Sequence, residues 1–460
     1  MGKHNLRELL SKYYPLLAIL MGVLIVSLPM GPYETLDTQL EFNTTKGVLR
    51  WGYPYLDRFG EPSNASYGDL FNVPPLGFYT QALFFKVSGT AMANGIFLIT
   101  LFGLASAVVV YKLGKEMYGK STGVFAAALF TLAPWQLILT RAFLIDVQCL
   151  FLSLLYLYFG ILAIRKDSVK LAAVAGVFFA AAFLTKQYAV FMLIPLLLLY
   201  IYNRPRKVKQ IIKQLAAFSL PAVFSTLLWY QVIMGKEILY LLIHNDFKDL
   251  NTVIPTYSFL SDFLINYGLG VFFVVAVVFS FVVGFVFWRR IPKESVFFDF
   301  VCLVTLLFIL GLELYMAVNL NLKAPYTSAV KYVYQSLPFF SLVAASLATK
   351  SALLIRDAKQ SDKAKRAMLF LVGFVGLLLM VASIIANMNT ARALASASYL
   401  IFRVQPNLDV GYSFYVTNPM SLGDPLLISQ LVGFGFILSG LLWQSRHFII
   451  ELLRSRLLKT

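Results

Sequence analysis

Apolar runs of about twenty residues recur along the whole chain, and a run of that length is long enough to cross a bilayer as a helix. They lie at 14–31, 90–112, 121–138, 144–164, 170–187, 188–203, 214–233, 264–288, 298–318, 333–349, 366–387 and 424–444. Composition excludes the alternative, a large soluble core. The chain is 59% hydrophobic and 13% charged, with mean hydropathy +0.75, whereas soluble domains are about 45–50% apolar and about 25% charged. No alternating ten-residue strand pattern competes. The expected fold class is an all-α integral membrane protein of about twelve transmembrane helices, multi-pass, in the plasma membrane if the chain is prokaryotic.

A net charge of +17 would suggest nucleic acid in a soluble protein. Here it reads as topology, because basic residues gather in the loops that stay cytoplasmic. Lys3, Arg7 and Lys12 precede the first span, Arg204, Arg206, Lys207, Lys209 and Lys213 follow the sixth, and Arg446, Arg454, Arg456 and Lys459 follow the last. Both termini are expected inside, with the first span a retained anchor rather than a cleaved signal. Cys149 and Cys302 fall in apolar runs, so neither a disulfide framework nor a zinc site is indicated.

This orientation places the long polar stretch 30–75 and the short turn 139–145 on the outer face. Glu34, Asp37 and Glu41 stand in the first; if that stretch is helical, spacings of three and four put them on one side. Asp146 heads the fourth span, where an acid is costly unless it caps the helix or performs chemistry. A carboxylate here can act as general base toward an acceptor hydroxyl; the bland alternative is a solvated loop acid. Residues 75–88 are too short to span and amphipathic enough to lie in the interface. Tyr53, Tyr55, Trp135, Tyr326, Tyr332 and Tyr334 read as an interfacial aromatic belt.

Arg58, Arg141, Lys186, Lys323 and Lys331 also fall on the outer side. Cations suit a phosphate leaving group, and arginine matches its oxygens two at a time; snorkelling toward headgroups is the competing explanation. Glu313 is an intramembrane acid for which Lys323 is a candidate partner. His244, Asn245 and Asp246 form a polar cluster too sparse to mark a metal site.

Several motifs in order carry a resemblance. They are Asp37 followed by ValLeuArgTrpGly at 48–52; Pro74, Pro75, Leu76, Phe78 and Tyr79; TyrGlyLysSerThrGly at 118–123; AlaProTrpGlnLeuIleLeuThrArgAlaPheLeuIleAspVal at 133–147; AlaPheLeuThrLys at 182–186; and LysTyrValTyrGlnSerLeuPro at 331–338. Together they resemble the GT-C superfamily of polyprenyl-phosphate-sugar glycosyltransferases, in the branch of protein O-mannosyltransferases and the lipid A aminoarabinose transferase. The likeness is fullest over the first 205 residues, which form the expected catalytic module, with 206–460 completing the cavity.

That resemblance implies a GT-C fold with short interfacial helices in a long first outer loop. It implies a lipid-linked sugar donor, an acceptor that is lipid, protein or glycan, and no nucleic acid. Asp37 would be the catalytic base, Asp146 the second essential acid and Arg141 a neighbour of the donor phosphate. No cofactor is implied and a divalent cation is left open. The sequence departs from the family's pattern where Thr38 follows Asp37 in place of an acid, so that Glu34 or Glu41 would supply the second carboxylate. It departs again where Val73 precedes the prolines in place of Lys, so that Lys186, Arg58 or Lys331 would bind phosphate. Configuration is expected to invert. A twelve-span secondary transporter is the alternative, but such proteins place polar features near the bilayer midplane, whereas these acids collect at helix ends. A non-catalytic subunit would tolerate replacement of Asp37 and Asp146.

Overall fold

The computed structural model describes residues 3–27, 33–34, 36–58, 61–63, 74–203, 208–233, 269–319, 333–358, 363–396, 400–401 and 425–457. In chain order the elements are α1 (Lys3–Ser27), β1 (Tyr33–Glu34), α2 (Leu36–Trp51), β2 (Leu56–Arg58), β3 (Glu61–Ser63), α3 (Leu76–Ser88), α4 (Met92–Tyr118), α5 (Lys120–Leu132), α6 (Pro134–Leu139), α7 (Asp146–Arg165) and α8 (Val169–Phe183). A 3-10 turn (Gln187–Met192) then leads into α9 (Leu193–Tyr202), followed by α10 (Val208–Leu227) with a π-helical end (Leu228–Ile233). The remainder is α11 (Val271–Val286), α12 (Lys293–Asn319), α13 (Leu337–Ala358), α14 (Lys363–Ser396), β4 (Leu400–Ile401) and α15 (Pro425–Leu457).

The all-α class is borne out: a helix occupies the described part of every expected run, and the strands are minimal. Among the described residues, five segments are long and apolar enough to cross a membrane by themselves: Met92–Tyr118, Asp146–Arg165, Lys293–Gly311, Tyr334–Ala358 and Ala364–Met388. Tyr13–Ser27, Lys120–Leu132, Val169–Phe183, Gln187–Tyr202 and Val271–Val286 are apolar but shorter, and length and hydropathy of the described residues do not confirm the exact count of twelve. The run 121–138, for example, is two helices. Ala133 is extended (φ −58, ψ 129) and Pro134 starts α6, because proline disfavours a helical residue before it and suits a helix's first position.

At the centre lie α5, buried throughout from Thr122 to Leu132, and α13, buried along most of its length. The first and last helices pair antiparallel along one side. Gly433 lets α15 approach so closely that a Cβ there would stand 2.7 Å from the Gly22 carbonyl oxygen. Close backbone approach at small residues is how helices associate where no water drives them together. Farther along that seam, the Tyr14 hydroxyl donates to Ser439 Oγ at 3.0 Å.

Within the bundle, Asp299 of α12 and Lys350 of α13 form a fully buried ion pair at 2.7 Å. Tyr118 of α4 donates to Asp299 at 3.0 Å, and Lys350 also donates to Ser280 Oγ of α11 at 2.8 Å. The Lys350–Asp299 pair therefore ties four helices together.

Candidate active site

Three chain segments converge at the head of α7. The first is α2, whose residues Asp37 and Glu41 are one turn apart on the same helix face. Glu34 does not share that face, since it belongs to β1, which pairs in parallel with β4 through Tyr33–Leu400 and Glu34–Ile401. The expectation that all three acids line one helix side is corrected to two. The same pairing attaches Leu400–Ile401, which lie between α14 and α15, to the segment between α1 and α2.

The second segment is the turn between α6 and α7. Thr140 caps α6 through its own hydroxyl, and Thr100 of α4 donates to the Thr140 carbonyl at 2.9 Å. Residues 142–150 are buried and Asp146 is 0% exposed. The third is the end of α8, where Thr185 and Lys186 leave the helix and Lys186 is extended (φ −153, ψ 142). The start of α3 fastens it: Leu76, the first residue past the two prolines with an amide hydrogen, donates to the Leu184 carbonyl at 2.9 Å. Gly77 lies so close to Ile145 that a Cβ would meet the isoleucine's Cβ at 2.8 Å.

Lys186 reaches two carboxylates from this position. Its Nζ is 2.6 Å from Asp146 Oδ2 and 3.1 Å from Glu41 Oε1. Glu41 Oε2 accepts the Ile145 backbone amide at 2.8 Å, and the Tyr188 hydroxyl donates to Asp146 Oδ1. Two acids thus share one ammonium at the positive end of α7, where exposed N–H groups and the helix dipole further favour negative charge. The cluster joins α2, α7 and the residues after α8 in one buried network. Glu41 is consequently a clamp between α2 and α7, neither a solvated loop acid nor a free second base.

Lys186, expected beside the donor phosphate, is found between the acids. Arg141 sits in the turn just before Asp146, half-buried, and burial lowers its pKa to about 10, so the guanidinium keeps its charge at neutral pH. The side chains of Glu34, Asp37, Arg58 and Glu313 lie outside the described residues, although their backbones belong to β1, α2, β2 and α12. Lys323, Lys331, Tyr326, Tyr332 and the cluster His244, Asn245 and Asp246 lie wholly outside them.

The aromatic belt needs correction. Trp135 and Tyr334 are 2% and 0% exposed, and Tyr334 donates to Gln136 inside the bundle. Tyr53 and Tyr79 instead gather around Trp229 of the π-helical segment, each with its ring centroid 6.2 Å from the indole. Tyr188 is the contributor that motif reading missed. It follows Lys186 by two residues at the start of the 3-10 turn, and no spacing rule in the sequence singled it out. Among the described residues, no group of three His, Cys, Asp or Glu is positioned to hold a metal ion.

Residues 72–230 match a family model described as dolichyl-phosphate-mannose-protein mannosyltransferase. That stretch carries Arg141, Asp146, Lys186 and Tyr188 and begins after α2. No curated protein matches the chain. The fold is similar to that of ArnT from Cupriavidus metallidurans bound to undecaprenyl phosphate, with TM-score 0.55 and 13% identity, covering 93% of this chain and 76% of that one. For ArnT in the apo state the TM-score is 0.53 and the identity 12%, with 93% and 75% covered. Family model and fold together bear out the GT-C resemblance read from the motifs.

Proposed function

We propose that this chain is a membrane glycosyltransferase of the GT-C type that moves a sugar from a polyprenyl-phosphate donor to an acceptor on the extracytoplasmic face. The observation that carries the reading is the buried cluster of Glu41, Lys186 and Asp146. It locks α2 onto the head of α7 and so fixes Asp37, one turn before Glu41, at the same end of the bundle as Arg141. The family model covering most of this cluster and the ArnT fold support the donor class. The distribution of basic residues supports the orientation, with both termini cytoplasmic.

Asp37 takes the proton from an acceptor hydroxyl or amine as its heteroatom attacks the anomeric carbon. The bond from that carbon to the phosphate oxygen breaks on the opposite side, so configuration inverts. The departing phosphate keeps the electron pair and meets the Arg141 guanidinium, with Arg58 or Lys331 as a second cation. Asp146 and Glu41, held by Lys186, Tyr188 and the Ile145 amide, are positioning groups that keep the outer helix, the turn and Arg141 in register. Lys186 acts through them rather than on the donor.

The test is transfer by purified protein in lipid, supplied with a panel of polyprenyl-phosphate sugars, for wild type beside Asp37→Asn. Wild type is expected to consume a donor while the variant stays folded and inactive. Full transfer by Asp37→Asn removes it as base. Uptake of a soluble solute into sealed vesicles with no donor consumed would establish the transporter alternative.

A further inference from the structure

At the end of the bundle away from the acid cluster, α7, α8, α9 and α10 leave a groove of about 340 Å³. Its wall is apolar, formed by Ala163, Leu193, Leu197, Leu215 and Phe218 among others. At 1.5 Å per residue, Gly160 and Ala163 lie about 21–26 Å along α7 from Asp146. That depth is toward the far side of a hydrocarbon layer about 30 Å thick.

Two polar atoms interrupt this wall. The Tyr200 phenolic oxygen and Gln214 Oε1 are buried with no hydrogen-bond partner, and both residues line the groove. Gln214 is 3% exposed. Its amide nitrogen is already committed, donating to Asp167 Oδ1 at 2.8 Å, while Gln210 holds the Asp167 carbonyl at 2.9 Å. Asp167 has a left-handed backbone (φ 47) in the tight turn from α7 to α8, which these two glutamines of α10 brace. Lys166, Lys170, Lys209 and Lys213, in that turn and the adjoining first turns of α8 and α10, are exposed.

A buried unpaired donor or acceptor costs about as much as a lost hydrogen bond, so the groove is complete only with an occupant that serves both atoms. Tyr200 needs an acceptor and Gln214 Oε1 needs a donor. The wall needs hydrocarbon, and the lysines favour an anionic group nearby. We infer that the groove seats one glycerophospholipid of the leaflet facing the basic loops, with an acyl chain along Leu193, Leu197 and Phe218. Its ester carbonyl accepts from Tyr200, and an ethanolamine or glycerol head donates to Gln214. A choline head has no hydrogen-bond donor, so phosphatidylcholine fits the wall and fails at Gln214.

The measurement is the count and identity of lipids retained by purified protein, read by native mass spectrometry after detergent exchange from nanodiscs of equal phosphatidylethanolamine, phosphatidylglycerol and phosphatidylcholine. Wild type should keep one phosphatidylethanolamine or phosphatidylglycerol, about fivefold over phosphatidylcholine, as one neutral hydrogen bond allows. Gln214→Leu should erase that preference, and Ala163→Trp should empty the groove. Tyr200→Phe removes only the unpartnered hydroxyl and should lower retention about fivefold without touching the fold. Equal retention of phosphatidylcholine, unchanged retention by Tyr200→Phe, or an isoprenoid phosphate found in place of a phospholipid would overturn the assignment.

Discussion

Replacing Lys186 by Met separates two explanations of that residue. The side chain spans 2.6 Å to Asp146 and 3.1 Å to Glu41, with all three groups nearly or fully buried. At an effective dielectric of about 20, each contact near 3 Å has a gross attraction of about 5 kcal/mol. Desolvation offsets most of this when the pair forms, but removing one partner leaves the others unpaired, a loss of about 3–5 kcal/mol. Here two carboxylates would also be left facing each other. Tyr188, the Ile145 amide and the positive end of α7 stay in place and keep the loss toward the lower figure. The assay is a fluorescence thermal melt in detergent at pH 7, beside donor kinetics. Lys186→Met should melt several degrees below wild type. Adding Glu41→Gln should recover a large part of that loss, because the second change removes the like-charge pair the first created. A lysine that met only the donor phosphate would give the opposite split, an unchanged melting temperature and a raised donor KM. A Lys186→Met protein that melts with wild type, or a double variant whose losses simply add, refutes the clamp.

Other expectations follow from the same geometry. Gly77→Val should push against Ile145 and displace the head of α7, lowering kcat by tenfold or more through misplacement rather than through lost chemistry; wild-type turnover would count against that packing. Lys350→Met should destabilise the bundle by about 3–5 kcal/mol and Lys350→Met with Asp299→Asn by much less, both read from melts. Arg141, with its pKa lowered to about 10, is protonated below that pH and loses its charge as pH rises through it. The rate–pH profile should therefore show no Arg141 limb below about pH 9, and Arg141→Gln should be slow at every pH. A descending limb near neutrality that Arg141→Gln removes would contradict this placement.

Much of the architecture could be read from residue order. Twelve apolar runs and the clustering of Lys and Arg indicated a helical membrane protein, because hydrocarbon tolerates only backbone that satisfies its own hydrogen bonds. The ordered motifs pointed to the GT-C fold. An acid at the head of α7 was legible as important because charge at a helix end in a membrane is expensive.

Partnership was decided only by the folded chain. Lys186 and Asp146 are forty residues apart and Glu41 more than a hundred from either, so nothing local could show one ammonium shared by two acids. Trp135 and Tyr334 looked like belt residues until the bundle enclosed them. Hydropathy and spacing are properties of a segment, so the sequence determines which segments enter the membrane and which faces of a helix two residues share. A charge's role depends on the groups within a few ångströms of it, and those are brought there by helices distant in the chain.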